Sequence, residues 1–418
     1  MSAQRAREIA AKFDLRALPA DFYANPYSVY DQLRVDDPLR HMPDGSWFLT
    51  RYADLVAVYR DAQTFSSAKK VEFAPKYGTS PLFEHHTTSL VFNDPPQHTR
   101  VRKLIMGALT RRAIAGMEQG LVVLVDKLLD DIASRGGGDL IEDYASAIPV
   151  EVIGNLLGVP QADRQPLRGW SLAILGALEP VLTVQQAALG NESVSAFCDY
   201  LRVLIAERRR HPGDPEHDVL TRLLQGDSQD GTLSEQELLQ NCIFILNAGH
   251  ETTTNLIGNA LVSLQEHEPA RARLLADMRQ SADDAARRDA CLDSAVDEFL
   301  RFESSNQLGN RRALRECRIG TTELPSGALI TLCIGAANRD PAQFALPHVL
   351  DPRRAENRHL AFGFGIHQCA GLSLARLEGR IAIGRFLDRF PDYRLTAAPV
   401  RGGRARFRGF LLVPFAVT

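Results

Sequence analysis

Cys369 lies in the run FGFGIHQCAG, Phe362 to Gly371, with three glycines and a histidine close by. Glycine lets a chain or a bulky group approach the backbone, so this cysteine has three readings: a small buried hydrophobe, a redox or nucleophilic thiol, or a metal ligand. The other five cysteines, Cys198, Cys242, Cys291, Cys317 and Cys333, are scattered and form no C-x-x-C pair. That spacing suggests neither a zinc knuckle nor a disulfide framework.

The run AGHETT carries a second set of chemical groups. Helical periodicity puts Phe244, Ala248, Glu251, Thr252, Asn255 and Asn259 on one stripe, so a carboxylate and a hydroxyl share a face. Gly249 costs about 1 kcal/mol against alanine inside a helix, and Thr252 is able to bond back to the carbonyl of Ala248, which together predict a kink with room beside it. The competing reading is that Gly249 merely permits close helix packing. A zinc-protease H-E-x-x-H motif is excluded, because position 254 is threonine.

Two further patterns involve charge. In EFLR, Glu298 and Arg301 are three apart and face each other on a helix, and if buried they need more partners, for which Arg354 in DPRR is a candidate. In HTRVR, His98 and Arg102 share a helix face, while Arg311 and His367 flank later segments. Singly, each is an ordinary solvated charge. Together they are the donors that two carboxylates on an apolar body require, and haem is the cofactor that fits.

The elements that must position these groups are mostly helical. LRHMPDGSWFLTRY, Leu39 to Tyr52, reads as a hairpin around Asp44-Gly45. Residues between Ser66 and Pro96 read as a long irregular lid or binding loop. Amphipathic helices are predicted at Thr99–Leu109, Met117–Ser134, Tyr144–Leu157 and Cys198–Arg210. Ser234 with Glu237 forms a capping-box signature ahead of a pattern long enough to cross the molecule, stopping before Pro269. Short strand-like pieces follow Arg301, and a last helix after Gly371 precedes a strand-like tail. Helices dominate and the strands are segregated, which predicts a mainly α fold with small separate β-sheets (α+β) and excludes a Rossmann or barrel plan.

Across essentially its full length the sequence resembles the soluble bacterial cytochrome P450 family. FGFGIHQCAG, AGHETT, EFLR and HTRVR match, in order and spacing, the family's cysteine loop, oxygen-activating helix, E-x-x-R pair and propionate-contacting helix. The resemblance implies one P450 domain over residues 1–418, with a long central helix over haem b. Its parts would be a β-richer N-terminal lobe over roughly 1–65, a substrate lid over 66–96 and a helical haem-binding core over 97–418.

By the same resemblance Cys369 is the iron ligand as a thiolate. Gly363, Gly365 and Gly371 would lie close to the macrocycle and aim amides at the sulfur. His98, Arg102, Arg311 and His367 would hold the propionates, with Arg312 as rival to Arg311. Ala248 and Phe362 would pack on the cofactor, and Glu298, Arg301 and Arg354 would clamp the fold. Thr252 and Glu251 would deliver protons at a dry distal site, which favours dioxygen with reductant over peroxide. The implied activity is monooxygenation of a lipophilic small molecule, and the alternative is a thiolate-ligated haem sensor without turnover. Phe73, Phe83, Val91, Phe244, Ala248 and Leu308 are the expected substrate walls.

No flavin or iron-sulfur signature is present, so NAD(P)H-derived electrons are expected through a separate two-iron ferredoxin and its ferredoxin reductase. A basic patch of Arg102, Lys103, Arg111, Arg112 and Arg376 could receive that partner. Bulk properties agree with a globular protein: of 418 residues, 45% are apolar and 24% charged, with a net charge of -3 and thus no nucleic-acid footprint. No long apolar run suggests a membrane span or signal peptide. A cytoplasmic monomer is the expectation.

Overall fold

The computed structural model describes residues 1–216, 218–227 and 231–417. Its longest element begins at the capping box. Ser234 Oγ accepts from the Glu237 N–H at 3.2 Å and the Glu237 carboxylate accepts from the Ser234 N–H at 3.0 Å, a reciprocal cap worth about 1 kcal/mol. The helix then runs Glu235–Glu266 without interruption. From Leu238 to Leu264 every residue is buried except Phe244, Ala248, Gly249 and Thr252, so an interior hollow opens on that one patch.

Other helices wrap this one. Ala147–Leu156, Leu167–Gly176, Val184–Arg210 and Leu372–Arg389 pack directly on it, and their apolar faces merge into one large cluster. Gly249 owes its place to this packing. A Cβ there would meet Ile153 Cδ1 at 2.6 Å, so the glycine answers a neighbouring helix. The helix continues through the expected kink site, where Thr252 Oγ1 donates to the Ala248 carbonyl at 2.7 Å.

The strands form small separate sheets. The largest has five strands in the order Leu39–His41, Trp47–Leu49, Leu329–Cys333, Leu308–Ala313, Phe65–Ser66. Leu308 faces Cys333 across its antiparallel pair, and Trp47 runs parallel to Ile330. Three N-terminal strands are thereby tied to the segment that carries Arg311. At the other end, Val400–Arg401 and Phe410–Leu412 make a C-terminal hairpin.

Two expectations need correction. Residues 66–96 are not an irregular loop: helices Lys70–Tyr77 and Pro81–Thr88 occupy most of the segment. Pro81 sits at the start of its helix behind Ser80, where its missing N–H costs nothing. Nor is the N-terminal stretch rich in strand. Helices Ala3–Ala11, Ala20–Ala24, Tyr27–Asp36 and Tyr52–Arg60 outweigh its three short strands, burying Phe13, Phe22, Tyr30 and Phe48 in their own cluster. Among the described residues no helix is long and apolar enough to cross a membrane.

Candidate active site

Cys369 follows a short 3-10 turn, Gly365–His367, and its N–H donates to the Phe362 carbonyl at 2.9 Å, closing the loop on itself. The Gly371 N–H points at the sulfur. Burial pushes the Cys369 thiol up, while that amide and the Arg102 and Arg376 guanidiniums pull the other way. The three loop glycines serve different needs. Gly363, at φ +65°, takes a backbone shape that side chains avoid. A Cβ on Gly365 would strike the carbonyl of Tyr59, so this glycine admits another stretch of chain.

Around the loop is a set of donors with nothing to bind. The rings of His98 and His367 stack 4.0 Å apart, and both nitrogens of His98 and Nε2 of His367 are buried without a partner. Burial beside Arg102 lowers His98 to about 4, and burial with Arg311, His98 and Arg102 nearby lowers His367 to about 2. Arg102 Nη2 donates to the Gln368 carbonyl at 2.7 Å and Arg311 Nη1 to the Asn310 carbonyl at 2.8 Å, leaving most of their N–H groups free. Arg311 stands over the Tyr59 ring at 5.1 Å. Arg312 alternates to the opposite strand face. Four convergent donors without an anion, next to a half-buried thiol, fit the two propionates and the iron of a haem.

The stripe on the central helix divides in two. Phe244, Ala248 and Thr252 face the hollow, with Ala248 exposed in mid-helix. Glu251, Asn255 and Asn259 face the C-terminal hairpin instead. Glu251 pairs with Arg404, and Asn259 Nδ2 donates to the Arg408 carbonyl at 2.9 Å. Burial raises the Glu251 carboxyl to about 7 despite Arg404, and its second oxygen has no partner. Beside it lies a cavity of about 40 Å³ lined by Arg168, His250, Thr254, Asn255 and Arg404, enough for a few waters.

Glu298, Arg301 and Arg354 meet in the interior. Arg301 forks onto Glu298 at 2.7 and 2.8 Å and reaches the carbonyls of Asn338, Pro347 and Val349. Arg354 Nε, the Asp351 N–H and Asn357 Nδ2 complete the Glu298 carboxylate. Every lone pair of this buried pair has an answer, which is the condition for burying one at all.

Of the expected substrate walls, Phe83, Val91, Phe244 and Ala248 keep accessible surface. Phe73 is packed among Tyr77, His86 and Phe92, and Leu308 is buried in the N-terminal cluster. Those two are core residues, contrary to expectation. The basic patch is also altered: Arg376 pairs with Asp297 at 2.8 Å and Arg112 with Glu216 at 3.7 Å, while the side chain of Arg111 lies outside the described residues.

The strand-like tail expected after the last helix closes into a hairpin, which the strand pattern alone does not predict. GGRARFRG carries a signal, since glycines bracket alternating arginines that a turn must present together. Its tip is stitched to the turn Ala177–Glu179: the Glu179 carboxylate accepts from the N–H groups of Ala405, Arg406 and Phe407. Lys76 and Tyr77 donate to the Ala177 carbonyl from the other side.

Comparison with known proteins agrees with this geometry. The family model described as Cytochrome P450 matches residues 176–393. The chain is 35% identical over 400 residues to Cytochrome P450 107B1 of Saccharopolyspora erythraea, covering 92% of this chain and 93% of that one. It is 36% identical over 380 residues to Vitamin D(3) 25-hydroxylase of Pseudonocardia autotrophica, covering 90% and 89%. The crystal structure of P450BioI with hexadec-9Z-enoic acid ligated acyl carrier protein superposes with TM-score 0.87 at 32% identity, covering 96% of this chain and 100% of that one. Cysteine loop, donor set, fold and relatives thus converge: the chain belongs to the cytochrome P450 family, haem b monooxygenases that put one oxygen atom of O2 into a lipophilic small molecule using electrons from a separate redox partner.

Proposed function

We propose that Cys369 is the thiolate ligand of the haem iron and that His98, Arg102, Arg311 and His367 hold its propionates. The carrying observation is that group of buried donors with no anion to meet, set beside the half-buried thiol. When bound, the haem supplies oxygen activation and the oxidising power for C–H chemistry. Phe362 and Ala248 border it, and Phe83, Val91 and Phe244 line the substrate space. Glu298, Arg301 and Arg354 fix the chain that presents the loop.

The chain's own part in turnover is proton management. Thr252 spends its proton on the Ala248 carbonyl and is free to turn it into the hollow. Glu251, near half-protonated at neutral pH, faces Arg404 and the small polar cavity on the far side of the same helix. Protons enter from that cavity, and Glu251 swings from Arg404 to pass them toward Thr252. His250, lowered to about 3 by burial, stays neutral and holds cavity water. Electrons come from an acidic two-iron ferredoxin, fed by ferredoxin reductase, that docks on the Cys369 side. Six unpaired cysteines suit a reducing cytoplasm.

The test is the absorption spectrum of the reduced, carbon-monoxide-bound protein. Thiolate ligation gives a strongly red-shifted Soret band, and Cys369→Ser must abolish it; a red-shifted band surviving that change refutes the assignment. Thr252→Ala keeps the spectrum and diverts reductant to hydrogen peroxide. Unchanged coupling of NAD(P)H to product would remove Thr252 from proton delivery.

A further inference from the structure

Four arginines crowd the C-terminal hairpin, and three of them meet carboxylates. Arg401 lies 3.6 Å from Glu303, Arg404 pairs with Glu251, and Arg408 pairs with Glu303. Arg406 makes no ion pair among the described residues. Its guanidinium donates only to neutral oxygens: Nε to the Leu178 carbonyl at 3.3 Å, Nη1 to the Leu308 carbonyl at 2.7 Å, and Nη2 to the side chain of Asn310. Asn310 is itself held by Thr331 at 3.0 Å, so the fork is aimed. Three of its five N–H groups are used, leaving one on each terminal nitrogen, the two that a carboxylate takes in bidentate fashion.

The group is deep in the protein, and surrounding atoms are the main cause lowering its pKa. Yet it keeps accessible surface. The partly exposed residue lies among helix Lys70–Tyr77, the turn Ala177–Glu179 and strand Leu308–Ala313. Glu179 and Glu72 support its charge from nearby, but neither carboxylate touches the guanidinium. Glu72 is engaged by Lys69 at 2.5 Å, Glu179 is taken by the three hairpin amides, and Lys76 adds another cation. A buried cation with no carboxylate in direct contact gains from an anion that arrives with the ligand.

We infer that Arg406 anchors a carboxylate at one end of a lipophilic substrate, whose apolar body extends toward Ala248 and Thr252. This rests on the monooxygenase reading and narrows its substrate class to lipophilic acids. Arg406 holds the side chain of Asn310 whereas Arg311 holds its carbonyl, and both lie near Tyr59, so haem retention is what separates a propionate role from a substrate role.

The experiment is a titration of the haem-loaded enzyme, following the low-spin to high-spin Soret shift. Three acids, hexadecanoic, abietic and cholanic, are each compared with their methyl esters. At least one acid is expected to bind about tenfold or more tighter than its ester, and Arg406→Gln to abolish that ratio while leaving ester binding unchanged. If every acid and ester bind alike, or if the ratio survives Arg406→Gln, the inference is overturned. If Arg406→Gln loses haem instead, with Arg406→Lys retaining it, the residue belongs to the propionates and the inference is likewise overturned. The reduced carbon-monoxide spectrum separates the two levels: a normal red-shifted band with no acid preference defeats this inference alone, whereas its absence defeats the monooxygenase reading.

Discussion

The Glu298–Arg301–Arg354 knot and the His98–Arg102–Arg311–His367 group are both interior clusters of cations and donors, and they differ in what faces them. In the knot, a carboxylate and several carbonyls answer every donor. In the second group, both nitrogens of His98 and Nε2 of His367 have no partner, and Arg102 and Arg311 each donate to a single carbonyl. Desolvation is costly in both places, but only the knot recovers it within the chain. A satisfied cluster is framework; an unsatisfied one is a receptor for a partner outside the sequence.

The sharpest way to break that distinction is to remove one half of the knot. Arg301→Ala leaves Glu298 charged and buried, so unfolding free energy should drop by about 3–5 kcal/mol in denaturant titrations. A loss under half of that would make the knot ordinary. The receptor group should behave in the opposite manner. Arg102→Ala is expected to weaken haem retention about tenfold in transfer to apomyoglobin, with little change in the stability of the haem-free chain. A large loss of haem-free stability would move Arg102 into the framework class.

A smaller effect concerns Glu378, which sits between these extremes. It is buried against the central helix, bonded to Thr253, with Oε2 unanswered, and burial raises it to about 8. Because the folded value lies above the ordinary carboxylate value of 4.5, its contribution is fully present below pH 4.5 and lost as pH rises through about 8. Melting temperature should therefore fall between about pH 5 and pH 8 by a few degrees, and Glu378→Gln should flatten that slope. Equal slopes in both proteins would mean Glu378 is ionised and satisfied. The least change is expected for Phe83→Leu, which should alter substrate-induced spin shifts while leaving stability within about 1 kcal/mol.

How much of this was readable depends on the range over which each signal acts. The central helix was legible because its capping box is local, four residues long, and its apolar pattern is unbroken. Cys369 and its loop were legible as a run of ten. Helices Lys70–Tyr77 and Pro81–Thr88 were hidden by Pro75 and Pro81, which look like breakers unless the positions they hold within a turn are known. The division of the Glu251 stripe could not be read at all, because Arg404 lies 153 residues away and only folding brings it there. What Gly249 and Gly365 make room for is hidden in sequence for the same reason: the atoms belong to Ile153 and Tyr59.

The stitch at Glu179 also imposes an order in time. Its hairpin partners are made 226 to 228 residues later, which on a ribosome is an interval on the order of tens of seconds. Until then the turn Ala177–Glu179 has no lid to hold, and the chamber it borders stands open to water and chaperones. Cys369 emerges before the hairpin does, so a nascent chain halted near residue 395 would own a complete iron-binding loop and an unfinished room behind it.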